Sequence, residues 1–421
     1  MELRLRNVAK IEYADLKLDG ITVIAGENNV GKSTVGKAVF ALFNSLVDIE
    51  DKIGAQKKEL LLQLYNKSLR KRVLDKEVYL RNGRVLDYII ALSNSSDMHE
   101  EKEPEEFVEH IRNLKRDELD TEKVEQFQEE AKRISDLPVD RLKKSVVSRY
   151  FGRVFYDEIN NIHDFDSKAV VDAVIRGQSI RLEFEQNQCT HIEQQIGIVN
   201  EAVYLDNPFV LNRLNDGIFG SDEIEKVIIN KLQKELDAVE DAVQYNLIVD
   251  KTQAIVDRIN RVAKGNLVSD KMNTYYYREN GNNKLNANNL SAGLKSFIII
   301  KTLLEKGELK EKDILILDEP EIHLHPEWQM IYAEVIVLLQ KIFDLTILLT
   351  THSAHFLDAL HYYARLHKVE TKCNYYLARS GEVGSVLEDV TGDISKIYSR
   401  LVNPSILLDK LKYKMDEDAD E

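Results

Sequence analysis

A glycine-rich stretch near the start of the sequence has the residue types and spacing that bind phosphate. It reads GENNVGKST and matches the pattern GxxxxGK[ST]. Its glycines let backbone N–H groups approach phosphate oxygens, and a helix that begins there directs its positive end at the same anion. We therefore predict a loop that holds the phosphates of a nucleotide, formed by Gly26, Glu27, Asn28, Asn29, Val30, Gly31, Lys32, Ser33 and Thr34.

Two side chains of this loop have chemistry of their own. The ammonium group of Lys32 can neutralise β- and γ-phosphates, so we count it among the candidate catalytic residues. The hydroxyl group of Ser33 can be a ligand of Mg²⁺. The predicted occupants of the loop are therefore ATP and Mg²⁺, with Ser33 as one of the metal ligands.

Two acids follow an aliphatic run in the segment LILDEP. Such a run is typical of a strand buried on both faces of a parallel sheet, and its carboxyl end lies at the edge where ligands bind. We expect Asp318 to hold Mg²⁺ and Glu319 to polarise the water that attacks the γ-phosphate. Taken alone, the pair could also be solvated acids at a strand end. Its occurrence together with the glycine loop favours the catalytic interpretation.

A histidine follows a second aliphatic run, in the segment LLTTHS. An imidazole at the end of a buried strand can donate a hydrogen bond to the γ-phosphate and respond to its loss. A lone histidine is usually structural, but the preceding Asp-Glu-Pro motif favours a catalytic role for His352.

A second anion site is predicted where the segment LSAGL opens a helix. Small residues at a helix N-terminus leave backbone N–H groups accessible to an anion. The two candidate contacts are Ser291 and Gly293. Because they lie far from the glycine loop in sequence, they need not serve the same nucleotide.

The motifs need strands and helices that hold them, and the apolar pattern predicts these elements. A short buried strand is predicted over 21–25, directly before the glycine loop, and a helix over 32–47. Continuous aliphatic runs predict buried strands over 314–317 and 346–351. A helix is predicted over 326–342, with a proline in its first turn.

Two longer segments complete the pattern. A helical run is predicted over 221–264, with Ser221 as its N-cap. Residues 272–290 are predicted to form a strand hairpin that turns at Asn280 and Gly281.

The predicted fold class is α/β, a mixed sheet flanked by helices and interrupted by a large helical insertion. Residues from about 50 onward become rich in charge and poor in glycine, with apolar residues at helical spacing, and this change marks the insertion. The predicted domains are a head over 1–49, 150–220 and 265–400, an insertion over 50–149 and 221–264 that forms a lobe or a short coiled coil, and a C-terminal segment with an acidic tail over 401–421.

Composition limits the environment and the partners. No run of 18 or more apolar residues occurs, and the first ten residues lack the apolar core of a signal peptide, so we expect a cytoplasmic protein without a membrane span. The two cysteines, Cys189 and Cys373, stand far apart, which suits a reducing compartment. The net charge of −15 does not steer the chain towards nucleic acid, which would need a local basic patch.

At these four motifs the sequence resembles ABC-type P-loop ATPases of the SMC/RecF/OLD branch. The resemblance covers about residues 1–50 and 270–365. The run LDEPEIHLHPEWQ followed by LLTTHSAHFL is most similar to OLD-like ATPases of prokaryotic defence systems. Stand-alone defence ATPases of the Septu and PARIS type are similar as well. The signature LSAGL, where transporters have LSGGQ, suits the branch that does not serve transport.

The resemblance implies a composite site. In the family, ATP is sandwiched between two heads, so Ser291 and Gly293 would contact the γ-phosphate held by a partner subunit. Residues 321–326 would lie at the seam of the dimer. OLD nucleases carry a TOPRIM nuclease domain after the ATPase, and the 69 residues after His352 are too few for one.

We therefore expect a molecular switch that binds and hydrolyses ATP, slowly or on a trigger, as a homodimer or a higher homo-oligomer. Its effector would be a separate nuclease or toxin encoded nearby, and its role would be anti-phage defence. The alternative is a RecF- or SMC-like ATPase of DNA repair or maintenance that clamps DNA between its heads. A transporter subunit is disfavoured by the insertion and by the signature.

Overall fold

The structure, a computed structural model, falls into two compact units. It describes residues 1–68, 121–217, 220–234, 242–279 and 283–402. The larger unit contains residues 1–47 and the described part of 147–421, and the smaller unit contains the described part of 48–146.

The strands of the described residues belong to the larger unit and form two sheets. They are β1 (Glu2–Val8), β2 (Ile11–Lys17), β3 (Ile21–Gly26), β4 (Ala169–Ile175), β5 (Gln178–Glu185), β6 (Gln188–Gln194), β7 (Ala202–Leu205), β8 (Asn266–Ser269), β9 (Tyr275–Arg278), β10 (Lys284–Asn286), β11 (Ile314–Asp318), β12 (Thr346–Thr351), β13 (Cys373–Ser380) and β14 (Ser385–Asp389).

Eleven of these strands form one mixed sheet in the order β6-β5-β4-β1-β2-β14-β13-β3-β12-β11-β7. Five neighbours, from β13 to β7, run parallel to one another. The strands from β6 to β2 pair antiparallel. Because parallel strands end at the same edge, the carboxyl ends of β3, β12, β11 and β7 lie side by side.

The helices include long elements around the sheet and in the smaller unit. They are α1 (Lys32–Leu46), α2 (Ile49–Ser68), α3 (Thr121–Ser135), α4 (Val139–Phe155), α5 (Arg213–Asp216), α6 (Glu223–Gln233), α7 (Ala242–Ile259), α8 (Ala292–Glu305), α9 (Pro326–Phe343) and α10 (Ala354–Leu366). The predicted α/β class, with a mixed sheet flanked by helices, is confirmed.

Apolar burial fixes the parallel strands and the helix that follows the glycine loop. All six residues of β3 are buried, as are the four aliphatic residues of β11. Helix α1 packs closely on this part of the sheet at Gly36. A Cβ atom at Gly36 would lie 2.6 Å from a ring carbon of Tyr204 on β7, so only glycine permits this approach. The approach places the start of α1 at the carboxyl edge of the sheet.

The helical run predicted over 221–264 is divided in the structure. Helix α6 ends at Gln233, where Lys234 turns to an extended conformation, and α7 begins at Ala242. The N-cap of α6 is Asp222 rather than Ser221, because the Asp222 carboxylate accepts a hydrogen bond of 2.8 Å from the Glu225 amide. Both helices belong to the larger unit, whereas the sequence assigned this segment to the insertion.

Strands β9 and β10 pair antiparallel, as the predicted hairpin requires. The turn itself, at 280–282, lies outside the described residues, as do the charged segment 69–120 and residues 403–421, which include the acidic tail.

The smaller unit is helical where it is described. Helices α2 and α3 belong to it, and the Lys57 ammonium group donates to the Ser135 and Leu137 carbonyls. Across the whole described part of the chain, helices that combine the length and the apolar character needed to span a membrane are absent.

Candidate functional site

The glycine loop leads into α1 without a side-chain cap. Gly31 is the N-cap residue, in the left-handed conformation with φ of 76°, and the first turn contains no acidic residue. A Cβ atom at Gly31 would also lie 2.7 Å from the Ile11 Cδ1 atom. Glycine is therefore required here on two grounds, and the positive end of the helix is left to the loop and to an anion.

Lys32 is buried inside the curl of the loop, with 4% of its surface exposed. Its ammonium group donates to the Gly26 carbonyl at 3.1 Å and to the Glu27 carbonyl at 2.8 Å. It also lies 3.3 Å from Oε1 of Glu319. The cation is thus held in place by the loop and by an acid from another strand.

Asp318 ends β11 with both carboxylate oxygens hydrogen-bonded. The Tyr204 hydroxyl donates to Oδ2 at 2.8 Å, and the Thr350 hydroxyl donates to Oδ1. Burial and the neighbouring Asp318 charge hold the pKa of Tyr204 well above its ordinary value, so this phenol stays a donor. The two donors come from the strands on either side of β11 and fix the orientation of the carboxylate.

The protein oxygens that are predicted to bind Mg²⁺ are suitable ligands, but they form an incomplete set. Ser33 and Asp318 supply the hydroxyl and carboxylate oxygens that this hard cation prefers. Within the described ranges, clusters of three or more His, Cys, Asp or Glu side chains that could hold a metal are absent. A magnesium ion here would therefore depend on phosphate and water oxygens, as it does in nucleotide sites.

Glu319 has a left-handed backbone conformation, with φ of 48°. Its amide donates to the Thr350 carbonyl at 3.2 Å and to the Thr350 hydroxyl at 3.0 Å, which stabilises this unusual turn. The turn directs the carboxylate to two other candidate residues. Oε1 lies 3.3 Å from the Lys32 ammonium group and 3.4 Å from Nδ1 of His352.

His352 follows β12 directly, and 41% of its side chain is exposed. Its backbone amide donates to Oε1 of Glu321 at 3.3 Å, and the Thr351 hydroxyl donates to the same oxygen at 2.5 Å. Burial raises the pKa of Glu321 above its ordinary value, and the hydrogen bond from Thr351 opposes this rise. Of the segment predicted to lie at a dimer seam, Glu321 is thus buried, whereas Ile322 is 54% exposed.

Ser291 and Gly293 lie at the start of α8, and Ser291 is its N-cap. The Ser291 hydroxyl accepts from the Leu294 amide at 3.4 Å, and the residue is exposed. Gly293 is packed tightly, since a Cβ atom there would lie 2.8 Å from the His323 carbonyl oxygen. Among the described residues, no hydrogen bond or ion pair joins Ser291 to Lys32.

Three residues of the site escaped the sequence analysis. Thr350 and Tyr204 orient the two acids at the end of β11, and Asp206 follows β7 at the same edge. Asp206 and both acids line a small cavity of about 50 Å³. Burial, together with the charges of nearby acids that include Asp222, raises the pKa of Asp206 to about 6. The position of Asp206 directly after a short apolar strand was the available signal.

Two further side chains contact the glycine loop from outside its motif. Arg400 lies 2.9 Å from the Glu27 carboxylate, and the Lys10 ammonium group donates to the Asn29 side chain. Lys10 lies 19 residues before Asn29 and Arg400 is far from the loop in sequence, and no spacing rule predicts either contact.

The fold and the site together define a P-loop domain, in which a glycine loop faces the acids of a parallel sheet. The family model described as the AAA ATPase domain matches residues 1–357, and the chain belongs to this family. A comparison with curated proteins gave no significant match.

Solved structures of SMC heads are similar to the chain at low levels. The SMC head domain from Thermotoga maritima has 10% identity and a TM-score of 0.37, covering 92% of this chain and 98% of that chain. An SMC head bound to the C-winged helix domain of ScpA has 10% identity and a TM-score of 0.44, with coverages of 94% and 98%. A Pyrococcus furiosus Smc head with an extended coiled coil, bound to the C-terminal domain of ScpA, has 10% identity and a TM-score of 0.40, with 98% of both chains covered. These values are too low to carry an argument, so family membership rests on the sequence model.

Proposed function

We propose that this chain binds ATP with Mg²⁺ and hydrolyses it, and that two copies pair around the nucleotide to form a switch. The observation that carries the proposal is the convergence of three motifs on one oxygen. Lys32 from the glycine loop and His352 from the end of β12 both lie within 3.4 Å of Oε1 of Glu319. The meeting of these three side chains at the carboxyl edge of a parallel sheet is suited to the transfer of a phosphoryl group to water.

In this proposal the glycine loop holds the phosphates. The uncapped start of α1 and the ammonium group of Lys32 supply positive charge on one side of the anion. Ser33 and Asp318 would hold Mg²⁺, whose charge stabilises the negative oxygens of the β- and γ-phosphates when it is bound.

Glu319 acts as the general base. Its carboxylate is paired with Lys32, and bound phosphate would compete for that cation. The freed carboxylate then accepts the proton of the attacking water, and His352 donates a hydrogen bond to the γ-phosphate.

The second copy completes the site. Ser291 is exposed at the start of α8 and makes no described contact with the glycine loop of its own chain. In this proposal the anion at that helix end is the γ-phosphate held by the partner copy. ATP thus controls whether two copies are joined.

A mixing experiment tests hydrolysis and pairing together. Lys32→Ala destroys both phosphate loops of a homodimer, and Ser291→Arg obstructs both signature ends, so each variant alone should release phosphate at a few per cent of the wild-type rate. In an equimolar mixture, half of the dimers contain both variants, and each of these retains one intact composite site. The mixture should recover about one quarter of wild-type activity.

Other results of the mixing experiment would contradict specific parts of the proposal. Activity of Ser291→Arg alone at the wild-type rate would show that one chain suffices. A mixture no more active than its components would exclude the composite site. Absence of phosphate release from wild-type protein, with and without candidate partners, would exclude hydrolysis.

We further propose that the switch controls a separate effector in prokaryotic anti-phage defence. This part rests on the resemblance of the LDEPEIHLHPEWQ and LLTTHSAHFL segments to OLD-like ATPases. The products of neighbouring genes should co-purify with the chain in an ATP-dependent manner. A chain that binds none of them, with ATP or without it, would contradict effector control.

A further inference from the structure

A buried glutamate beside the site, Glu321, has no part in the function proposed above. Only 2% of its surface is exposed. Its Oε1 atom accepts two hydrogen bonds, from the Thr351 hydroxyl and from the His352 amide. Its Oε2 atom is shielded from solvent, and no described group donates to it.

Such an environment is unfavourable for a carboxylate. The group loses hydration, and one oxygen gains no hydrogen bond in exchange. The imidazole of His352 is 4.0 Å away and 41% exposed, so it compensates the charge weakly. An apolar side chain of similar volume would fill this space without the same cost. The acceptor at Oε1 is therefore what the position requires.

The glutamate joins two segments of the site. On one side, the Leu324 amide donates to the Glu321 carbonyl at 3.0 Å. The Gln329 side chain donates to the same carbonyl at 3.3 Å and to the Leu324 carbonyl at 3.1 Å. These bonds fix the turn that carries Glu319 to the first turns of α9.

On the other side, Glu321 holds the end of β12. The Thr351 hydroxyl that donates to Glu321 also accepts from the Ser353 amide at 3.0 Å. Ser353 in turn caps α10 by accepting from the Phe356 amide at 3.2 Å. The segment that carries His352 is thus tied through one carboxylate oxygen to the turn that carries Glu319.

We propose that Glu321 is a positioning residue that keeps the His352 imidazole beside the Glu319 carboxylate. The observed separation of 3.4 Å between Nδ1 of His352 and Oε1 of Glu319 depends on this link. The effect on hydrolysis rests on the proposed function, whereas the effect on the position of the ring does not. Loss of the link lowers kcat and leaves ATP binding at Lys32 nearly unchanged.

Three variants separate positioning from a general loss of packing. Glu321→Ala removes the acceptor, and Glu321→Gln keeps a carbonyl oxygen that can accept the same two bonds. Glu334→Ala is the matched control, because Glu334 is also buried and its partners are Arg258 at 2.9 Å and His367 at 3.4 Å rather than His352. Each variant is assayed for kcat and KM with ATP, and for the NMR signals of the His352 ring without nucleotide, assigned with His352→Asn.

Glu321→Ala should lower kcat about 10-fold or more and change KM less than about twofold, because a small displacement of a catalytic group is costly. Its His352 ring signal should shift. Glu321→Gln should restore both properties, and Glu334→Ala should alter neither. Equal kcat and unchanged ring signals in Glu321→Ala and in the control would overturn the inference.

A second substitution covers the case in which Glu321→Ala fails to fold. Thr351→Val removes one donor and keeps the side-chain volume, and it should reproduce the kcat loss and the ring shift. Glu321→Gln should keep the wild-type ring position. If folded Thr351→Val also keeps it, the result would count against the inference. If wild-type protein does not hydrolyse ATP, the proposed function fails, and the ring signals still decide the role of Glu321.

Discussion

Two helices of this molecule begin at predicted anion sites, and their surroundings differ. Helix α1 starts after an uncapped glycine, and its first residue, Lys32, is buried and paired with Glu319. Helix α8 starts after Ser291, which caps the helix with its own hydroxyl and is exposed. The first helix end meets acids of the same chain, whereas the second stays open. The contrast fits the proposal that a second copy supplies the start of α8 to the site.

The two helix ends are nevertheless joined by a single turn. The turn that begins with Glu319 continues to His323 and Leu324, and these residues pack against Gly293 in the first turn of α8. A Cβ atom at Gly293 would lie 2.8 Å from the His323 carbonyl, so the packing tolerates little change. The segment that follows Glu319 is therefore in tight contact with the start of α8.

The largest expected effect comes from removing the base while keeping the phosphate site. Glu319→Gln should slow hydrolysis about 1,000-fold, because the amide cannot accept the proton of water. Phosphate release measures the slower hydrolysis. ATP binding and ATP-dependent pairing should persist, and light scattering measures the pairing. The exposed Glu327→Gln is the control. Normal hydrolysis by Glu319→Gln would show that the base assignment is wrong.

A binding assay distinguishes the roles of the two helix ends when the cation of one of them is removed. Lys32→Ala should weaken ATP binding about 100-fold, measured by calorimetry, because the phosphates lose a buried positive charge. Ser291→Arg should leave the affinity of an isolated chain within about twofold. Lys301→Met provides a matched control, since Lys301 is a buried lysine of α8 that donates to Asn260 and to two carbonyls. Equal losses in Lys32→Ala and Lys301→Met would point to unfolding instead.

A smaller effect is expected from Asp206, the acid at the carboxyl edge of the sheet that the sequence did not predict. The pKa of Asp206 is raised from 3.8 to about 6, so between these values the folded chain holds a proton that the unfolded chain releases. Stability attributable to this group therefore falls as pH rises through the window. Because Asp206 is exposed, solvent screening reduces the effect, and Asp206→Asn should stabilise the protein by about 1 kcal/mol above pH 7 and by nothing below about pH 4.

Thermal unfolding at pH 7.5 and at pH 4 measures this difference, and the exposed Asp166→Asn is the control. A gain of stability by Asp206→Asn that is the same at both pH values would contradict the assignment of the raised pKa.

The smallest expected effect concerns the orientation of the Asp318 carboxylate. Tyr204→Phe removes one of the two donors to Asp318 and leaves the donor from Thr350. The loss of about 1 kcal/mol should raise the Mg²⁺ concentration that half-saturates hydrolysis by about fivefold. A metal titration at saturating ATP checks this outcome, and an unchanged titration would remove Asp318 from the metal site.

The glycine loop and the acids at 318–319 could be predicted because their signals are local. A loop motif between a strand and a helix, and an aliphatic run that ends in acids, each contain their own structural context. The fold class followed from the same runs and is confirmed. The roles of these residues stay predictions, although their side chains meet at one edge of the sheet.

The neighbours that orient the acids could not be predicted in this way. Thr350 faces Asp318 because β11 and β12 pair in parallel with these two residues in register. Tyr204 approaches from β7 on the other side of β11, far from both in sequence. The helical run at 221–264 could not be predicted correctly for a similar reason. Periodicity shows that one face is apolar. It does not show where the chain bends or in which unit that face is packed.

The sequence by itself determined the glycine loop, the buried strands and the acids that end one of them, since each depends on residues close together in the chain. The tertiary structure alone decided which groups share an oxygen: Lys32 and His352 at Glu319, and Thr351 and the His352 amide at Glu321. The physical reason is that lateral order and register in a parallel sheet arise from burying apolar faces of distant segments together. Only that packing brings the ends of separate strands within hydrogen-bonding distance.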